Sequence, residues 1–249
     1  MKGTYLDPFW YALSFLTRFP APSRDLSDEA WKKSTSWYPF VGLLLGGALV
    51  GVAWTISLLA PPLLVAVLVV TAWVVLTGGL HLDGWMDTAD GFGSHRPRER
   101  VLEIMKDSRV GAMGVLAALL LLGNKVAALA AVDGERQLAC LLLAPVLGRA
   151  AMLVALAYLP SARADGLGQS LRSAGKRVNV WAWGVTVLVL LFAGFWLSDS
   201  LIPALLLAAL FAWLLLRTSL RKIGGCTGDV YGALCEGVEA AVLLGVALS

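Results

Sequence analysis

Three aspartates are the residues in this sequence best suited to chemistry: Asp83, Asp87 and Asp90. Their i, i+4, i+7 spacing places them within about 60° of one another on a helix, along roughly 10 Å of its length. Like charges on one stripe repel one another, so we expect a cation among them. Carboxylate oxygens without a nearby cysteine suit Mg²⁺ or Mn²⁺ better than Zn²⁺. The pattern predicts a metal site at these aspartates, with a solvated acidic helix end as the alternative.

His81 lies two residues before Asp83 in a segment with glycines at 78, 79 and 84. Because glycines carry no Cβ, they would let a phosphate-bearing substrate approach the backbone closely. We therefore treat His81 as a candidate catalytic residue or ligand. The alternative is a structural histidine at the membrane interface.

Two basic stretches are candidates for binding substrate. Lys106 and Arg109 lie three residues apart, so on a helix they would share a face and clamp a pyrophosphate. Gly166 and Gly168 lie in the loop 159–179, which holds several arginines and a lysine. We interpret this loop as one that handles a nucleotide.

A second polar segment, 224–232, precedes the last apolar segment and contains Asp229 between glycines. Asp229 and Glu236 are seven residues apart and thus share a helix face. We predict that Asp229 is a ligand of the metal site and that Glu236 fixes the position of Asp229 without binding the metal. We also predict that Thr227 and Gly228 contact a phosphate of the substrate. The alternative is that Asp229 only caps the last helix.

Four charged residues lie inside apolar segments: Lys125, Arg149, Glu236 and Glu239. Charges within a membrane span normally face the bundle interior and pair with one another. Lys125 and Arg149 are the expected counter-charges for the carboxylates, and a structural ion pair is the interpretation we favour for Glu239 and Lys125. Arg149 is also a candidate for binding substrate.

The composition indicates a membrane protein. Of 249 residues, 58% are hydrophobic and 15% charged, with a mean hydropathy of +0.76. These values exclude an ordinary soluble domain and a disordered chain. The net charge of +3 gives no reason to expect nucleic-acid binding, and the three cysteines form no CxxC pair, so we expect them to be small buried hydrophobes.

Apolar segments define the predicted elements. A spanning helix needs about 20 mostly apolar residues. We predict an all-α polytopic membrane bundle, a single domain over residues 1–249, with an interfacial helix at 9–16 and about seven transmembrane helices. The seven segments are 40–60, 62–80, 111–132, 138–158, 180–198, 200–217 and 232–248.

Basic residues predict how the bundle is oriented. With seven spans, 17 lysines and arginines fall in the connections on one face, and Arg136 alone falls on the other. Positive loops stay in the cytoplasm, so we expect a cytoplasmic amino terminus in the cell (inner) membrane. All long connections then face the cytoplasm. This asymmetry favours an enzyme with a cytoplasmic active site over a transporter.

These motifs resemble those of cobalamin synthase, the membrane-bound adenosylcobinamide-GDP ribazoletransferase family. The resemblance runs in family order over nearly the whole chain, and its two acidic motifs together are quite specific. Its segments are FLTRFP (15–20), YPFVG (38–42), GLHLDG (79–84), DTADG (87–91), MKDSRVG (105–111), GLG (166–168) and TGDVYGA (227–233), followed by Glu236.

The resemblance implies the last step of cobalamin nucleotide-loop assembly. Adenosylcobinamide-GDP and α-ribazole, or its 5′-phosphate, would give adenosylcobalamin, or its phosphate, and GMP, with Mg²⁺ as cofactor. A metal would neutralise the pyrophosphate while a carboxylate takes the hydroxyl proton, which makes Asp87, Asp90 and His81 the catalytic candidates. Membrane lipid is an expected partner. A homo-oligomer and a complex with other late cobalamin enzymes both stay open.

Two alternatives remain. A CDP-alcohol phosphotransferase of phospholipid synthesis also uses spaced aspartates and Mg²⁺, but its first aspartates are followed by an Ala-Arg step that is missing after Asp83. A cation-coupled transporter would use the charged residues within the spans as its ion path. The nearly empty outer face argues against that alternative.

Overall fold

The computed structural model describes residues 6–22, 27–132, 134–163 and 180–249, and their regular structure is helical. The predicted all-α fold is therefore confirmed. A short 3₁₀ turn, Thr35–Trp37, precedes the third helix. The helices are α1 (Asp7–Leu16), α2 (Asp28–Ser34), α3 (Tyr38–Ser57), α4 (Pro62–Thr77), α5 (Leu80–Gly93), α6 (Arg98–Ile104), α7 (Ala112–Ala131), α8 (Gly134–Tyr158), α9 (Val180–Trp196), α10 (Leu201–Ile223) and α11 (Gly228–Ala247).

Every predicted apolar segment overlaps one of these helices over most of its length. In the described part of the chain, five helical stretches are long and apolar enough to cross a membrane: Asp28–Ser57, α7, α8, α10 and α11. Helices α4 and α5 make a sixth if they count as one span bent by 93°. Helix α9 is apolar but has 17 residues. The count of seven spans and the orientation of the amino terminus stay predictions.

The bend between α4 and α5 is made by two glycines. Gly78 and Gly79 have φ values of 64° and 71°, in the left-handed region that residues with a Cβ avoid. The Arg18 side chain lies where a Cβ on Gly78 would be. The Arg18 backbone N–H donates to the Leu76 carbonyl, 2.6 Å away. The segment after α1 thus packs against the bend, and α5 leaves the direction of α4 at this point.

Helix α11 is the centre of the bundle. It packs against α5, α7, α8 and α10, and 16 of its 20 residues are buried. Small residues allow this packing: a Cβ on Gly245 would collide with Ala204 of α10. Close contact of small residues is the common way that helices associate in lipid, where no hydrophobic effect drives them together.

Helices α9 and α10 are on the outside of the bundle. Their large apolar side chains are exposed, including Leu191, Phe195 and Leu206. Apolar surface on this scale is unfavourable in water, whereas lipid chains solvate it. The exposed surface therefore agrees with the composition in indicating a membrane protein.

Candidate functional site

The candidate site is built where α5 crosses the first turns of α11. A Cβ on Gly84 of α5 would lie 2.8 Å from the Asp229 carbonyl oxygen. A Cβ on Gly232 of α11 would lie 3.0 Å from the His81 carbonyl oxygen. Since both positions are glycine, the two backbones touch. The crossing brings Asp229 to the aspartates of α5, as the sequence predicts. We call Asp83, Asp87, Asp90 and Asp229 the acidic cluster.

The electrostatics of Asp87 reflect this grouping. Helix α5 lies outside the five candidate spans, and Asp87 is half-buried on it. Partial burial, and then the negative charges of Asp83, Asp229 and Asp90, raise the pKa of Asp87 to about 7. Neither Asp87 oxygen accepts a hydrogen bond from the described residues. The cluster therefore carries a repulsion that a cation would relieve.

Asp90 has a second task that the sequence analysis missed. Its two carboxylate oxygens accept hydrogen bonds from the backbone N–H groups of Gly111 and Gly114, each at 2.8 Å. These amides begin α7 and have no partner within that helix. A Cβ on either glycine would collide with the carboxylate. Asp90 thus caps α7 from another helix, and the two glycines at the start of an apolar segment are the signal for it.

The acidic cluster fits a hard divalent cation by its chemistry. Four carboxylates from two helices supply the oxygen ligands that Mg²⁺ prefers, and their mutual repulsion favours a positive charge. Within the described ranges, no group of three or more His, Cys, Asp or Glu side chains is arranged to hold a metal ion. Binding a cation would therefore require the carboxylates to turn toward one point.

Asp229 is held by two neighbours. Thr227 Oγ1 donates to Asp229 Oδ2 at 3.1 Å, and Arg163 Nη2 lies 4.0 Å from the same oxygen. Thr227 Oγ1 also accepts the Val230 N–H at 3.3 Å, which makes Thr227 the cap of α11. The cap interpretation of Asp229 is therefore wrong, because the preceding threonine already fills that place. Arg163 was predicted only as one of the basic residues of the nucleotide-handling loop 159–179. Its position just after an apolar segment was the signal that could have placed it near Asp229.

A balanced set of charges lies deeper between α7, α8 and α11, and we call it the buried network. Lys125 Nζ donates to Glu236 at 2.6 Å and to Glu239 at 2.7 Å, and Arg149 forms an ion pair with Glu239. The predicted pair of Lys125 and Glu239 is present. The prediction that Glu236 supports Asp229 is wrong. Glu236 lies two helical turns deeper and binds the Lys125 ammonium instead. The transporter alternative would use these four residues as its ion path. In the structure their charges neutralise one another.

His81 connects the cluster to the network. It is 3% exposed, and its Nδ1 lies 3.4 Å from Nη2 of Arg149. Arg149 is fully buried and forms an ion pair with Glu239. This geometry favours a structural role for Arg149 in the interior of the bundle. Its predicted contact with substrate stays a prediction.

The predicted clamp of Lys106 and Arg109 needs a correction. Helix α6 ends at Ile104, so both residues lie in the turn before α7 and share no helix face. Asp107 determines this turn by accepting the Arg109 backbone N–H at 3.0 Å and binding its guanidinium at 2.7 Å. Both basic side chains are exposed, and anion binding by them stays a prediction. Gly166 and Gly168 lie outside the described residues.

Two cavities meet at Asp83. One, of about 160 Å³, is lined by His81, Asp83, Gly228 and Asp229 on its polar side and by apolar residues such as Met152 elsewhere. The other, of about 400 Å³, is lined by seven residues: Arg18, Gly78, Gly79, Leu80, Leu82, Asp83 and Met86. The first is smaller than a typical pocket for a whole organic ligand, so it suits a reacting phosphate group.

Comparisons with known proteins point to one family. The profile of the cobalamin-5-phosphate synthase family matches residues 8–247. A protein of Brevibacillus brevis named adenosylcobinamide-GDP ribazoletransferase is 45% identical over 241 residues, covering 96% of this chain and 97% of the relative. Proteins of the same name from Desulfitobacterium hafniense and Pseudomonas putida are 43% and 44% identical, covering 95% and 97% of this chain and 94% and 98% of the relatives. No solved structure matches the chain. The chain belongs to the cobalamin-5-phosphate synthase family.

Proposed function

We propose that the chain is an adenosylcobinamide-GDP ribazoletransferase. It joins adenosylcobinamide-GDP to α-ribazole, or to α-ribazole 5′-phosphate, and releases GMP. The observation that carries the proposal is the match to relatives of that name over nearly the whole chain, with the acidic cluster beside a cavity sized for a phosphate. A ribose hydroxyl that is free in both acceptors attacks the phosphorus attached to cobinamide, its proton passes to a base, and the bond from that phosphorus to the GMP oxygen breaks.

Mg²⁺ is part of this proposal. Asp83, Asp87 and Asp229 are the residues that would hold it, with Asp90 adding charge while it caps α7. When bound, the ion neutralises charge on the pyrophosphate and on the departing GMP. The hard oxygen donors and their repulsion support this assignment.

The residues of the chain also account for the proton. The attacking hydroxyl must lose its proton to a nearby base. Both oxygens of Asp90 already accept backbone hydrogen bonds, whereas those of Asp87 accept none in the described part of the chain. Asp87 is therefore better placed than Asp90 to act as the general base.

The test is direct. Purified protein is incubated with adenosylcobinamide-GDP, Mg²⁺ and α-ribazole, and GMP is measured by chromatography. We expect GMP in proportion to the new corrinoid, and none when α-ribazole is omitted. A second arm uses α-ribazole 5′-phosphate and compares kcat/KM for the two acceptors. Absence of GMP in both arms from folded protein contradicts the proposed function.

We also propose that the protein resides in the cell (inner) membrane with the acidic cluster facing the cytoplasm. The distribution of lysine and arginine supports this orientation. Cysteines replacing His95 and Asp199, both exposed and on opposite sides of the proposed topology, test it with a reagent that does not cross membranes. The three natural cysteines are buried and leave a low background. Labelling of position 95 from outside would invert the orientation.

A further inference from the structure

His81 is held at one ring nitrogen and free at the other. Nδ1 faces Nη2 of Arg149 at 3.4 Å. Nε2 is buried and has no hydrogen-bond partner among the residues that the structure describes. The side chain lines the cavity of about 160 Å³ together with Asp83 and Asp229. The free nitrogen thus belongs to a residue on the wall of the reaction cavity.

The contact with Arg149 determines where the imidazole proton lies. A guanidinium has only N–H donors and no acceptor, so Nδ1 must accept the hydrogen bond. A neutral imidazole that accepts at Nδ1 carries its single proton on Nε2. The structure therefore indicates one tautomer, whose N–H is the unpartnered group.

Arg149 has no freedom to leave this position. It is 0% exposed and forms an ion pair with Glu239. Glu239 also accepts from Lys125, which in turn binds Glu236. Glu239 of α11 thus holds the guanidinium directly, and Lys125 of α7 holds Glu239 in turn. Turning the guanidinium away would leave a buried carboxylate without one of its partners.

We propose that His81 is a neutral hydrogen-bond donor that presents Nε2–H to a phosphate oxygen of the substrate, and that Arg149 is the positioning residue that fixes this tautomer. The inference rests on the proposed function and deepens it. As the ribose hydroxyl attacks, charge grows on the oxygens of the phosphorus, and a preorganised donor stabilises it. His81 keeps its proton throughout. It therefore acts neither as the base nor, through Nε2, as a metal ligand.

The chain offers a clean spectroscopic test, because it contains two histidines, His81 and His95. His95 is exposed with a φ of 52°, a conformation that asparagine tolerates well, so His95→Asn leaves His81 as the single histidine. Protein labelled with ¹⁵N-histidine is then examined by NMR at neutral pH without substrate. We expect a neutral ring with its proton on Nε2. A proton on Nδ1, a mixture of tautomers or a charged ring overturns the inference.

Matched variants test the donor during turnover, in the His95→Asn background. The amide nitrogen of glutamine reaches the place of Nε2, whereas that of asparagine reaches only the place of Nδ1. We expect His81→Gln to keep kcat within about tenfold of the parent and His81→Asn to lose about 100-fold or more, with similar KM. Equal kcat for the two variants overturns the donor role. A parent that releases no GMP contradicts the proposed function instead, and the NMR result still decides the tautomer.

Discussion

The acidic cluster and the buried network share helix α11 but differ in charge balance. The network sets two cations against two carboxylates, and its side chains are almost completely buried. The cluster sets four carboxylates against Arg163, which lies 4.0 Å from one of them. A balanced group has no charge left for a ligand, whereas an unbalanced group beside a cavity attracts a cation. Charge balance, more than carboxylate content, separates the structural interior from the candidate site.

The largest effect should follow from removing charge from the cluster. Asp87→Asn should lower kcat by about 10²- to 10⁴-fold, because an amide cannot take the hydroxyl proton. The variant should remain folded, since its side chain loses no hydrogen bond to the described residues. The measurement is the rate of GMP release, together with elution on size-exclusion chromatography in detergent.

Asp199→Asn is the matched control, because this aspartate is exposed in a turn beside α10. It should leave the rate and the elution unchanged. Asp83→Asn should resemble Asp87→Asn, and excess chelator should abolish the activity of the parent. An active Asp87→Asn variant, or an active parent in chelator, would remove the cluster from the reaction.

Substitutions in the buried network should mainly lower the stability of the protein. Lys125→Met removes one cation, leaves Glu236 without an ion-pair partner among the described residues, and leaves Glu239 paired with Arg149. We expect it to lower the free energy of unfolding by about 3–5 kcal/mol, because a carboxylate is left buried without its counter-charge. Thermal unfolding in detergent measures this loss.

A second substitution sharpens the same comparison. Adding Glu236→Gln to Lys125→Met removes one charge of each sign and leaves Glu239 paired with Arg149. The double variant should recover much of the lost stability. If the double variant is as unstable as the single one, charge balance is not what holds the network together.

What depends on local spacing could be predicted from the sequence, and so could the long-range pair of Lys125 and Glu239, because buried charges need partners. Other long-range contacts could not. Apolar length gave the helices, and aspartate spacing gave the shared face of α5. The capping of α7 by Asp90 needs a contact between residues 21 apart, which no local pattern contains. The helix predicted through Lys106 and Arg109 fails because Asp107 binds Arg109 and makes a turn. Lys125 was an expected counter-charge for the carboxylates of the last helix, and it binds Glu236, which therefore does not support Asp229.

The crossing of α5 and α11 at Gly84 should be sensitive to a larger side chain. Gly84→Ala would place a Cβ 2.8 Å from the Asp229 carbonyl oxygen, and so would push α5 away from α11. We expect kcat to fall by up to about 100-fold, because a shift of about 1 Å at a reacting site has that effect. Gly47→Ala is the control, since nothing lies within 4 Å of its added Cβ. Equal rates for the two variants would mean that the crossing does not position the site.

The smallest effect should separate Thr227 from Asp229 at the start of α11. Thr227→Ala removes the cap that accepts the Val230 N–H, and should cost about 1 kcal/mol of unfolding free energy. It should change the dependence of the rate on Mg²⁺ concentration much less than Asp229→Ser does, because Asp229 keeps its charge and its contact with Arg163. Thr227→Ser retains the hydroxyl and should match the parent in both measurements.

Asp229→Ser should give the opposite result. The hydroxyl is polar but carries no charge, so the helix keeps its Thr227 cap while the cluster loses a ligand. We expect unfolding close to the parent, a lower kcat, and a higher Mg²⁺ concentration for half-maximal rate. If Asp229→Ser instead keeps the parent's rate and cation dependence, the cation site is confined to α5. The acidic cluster would then be divided, with Asp229 belonging to the structural part of α11 alongside the buried network.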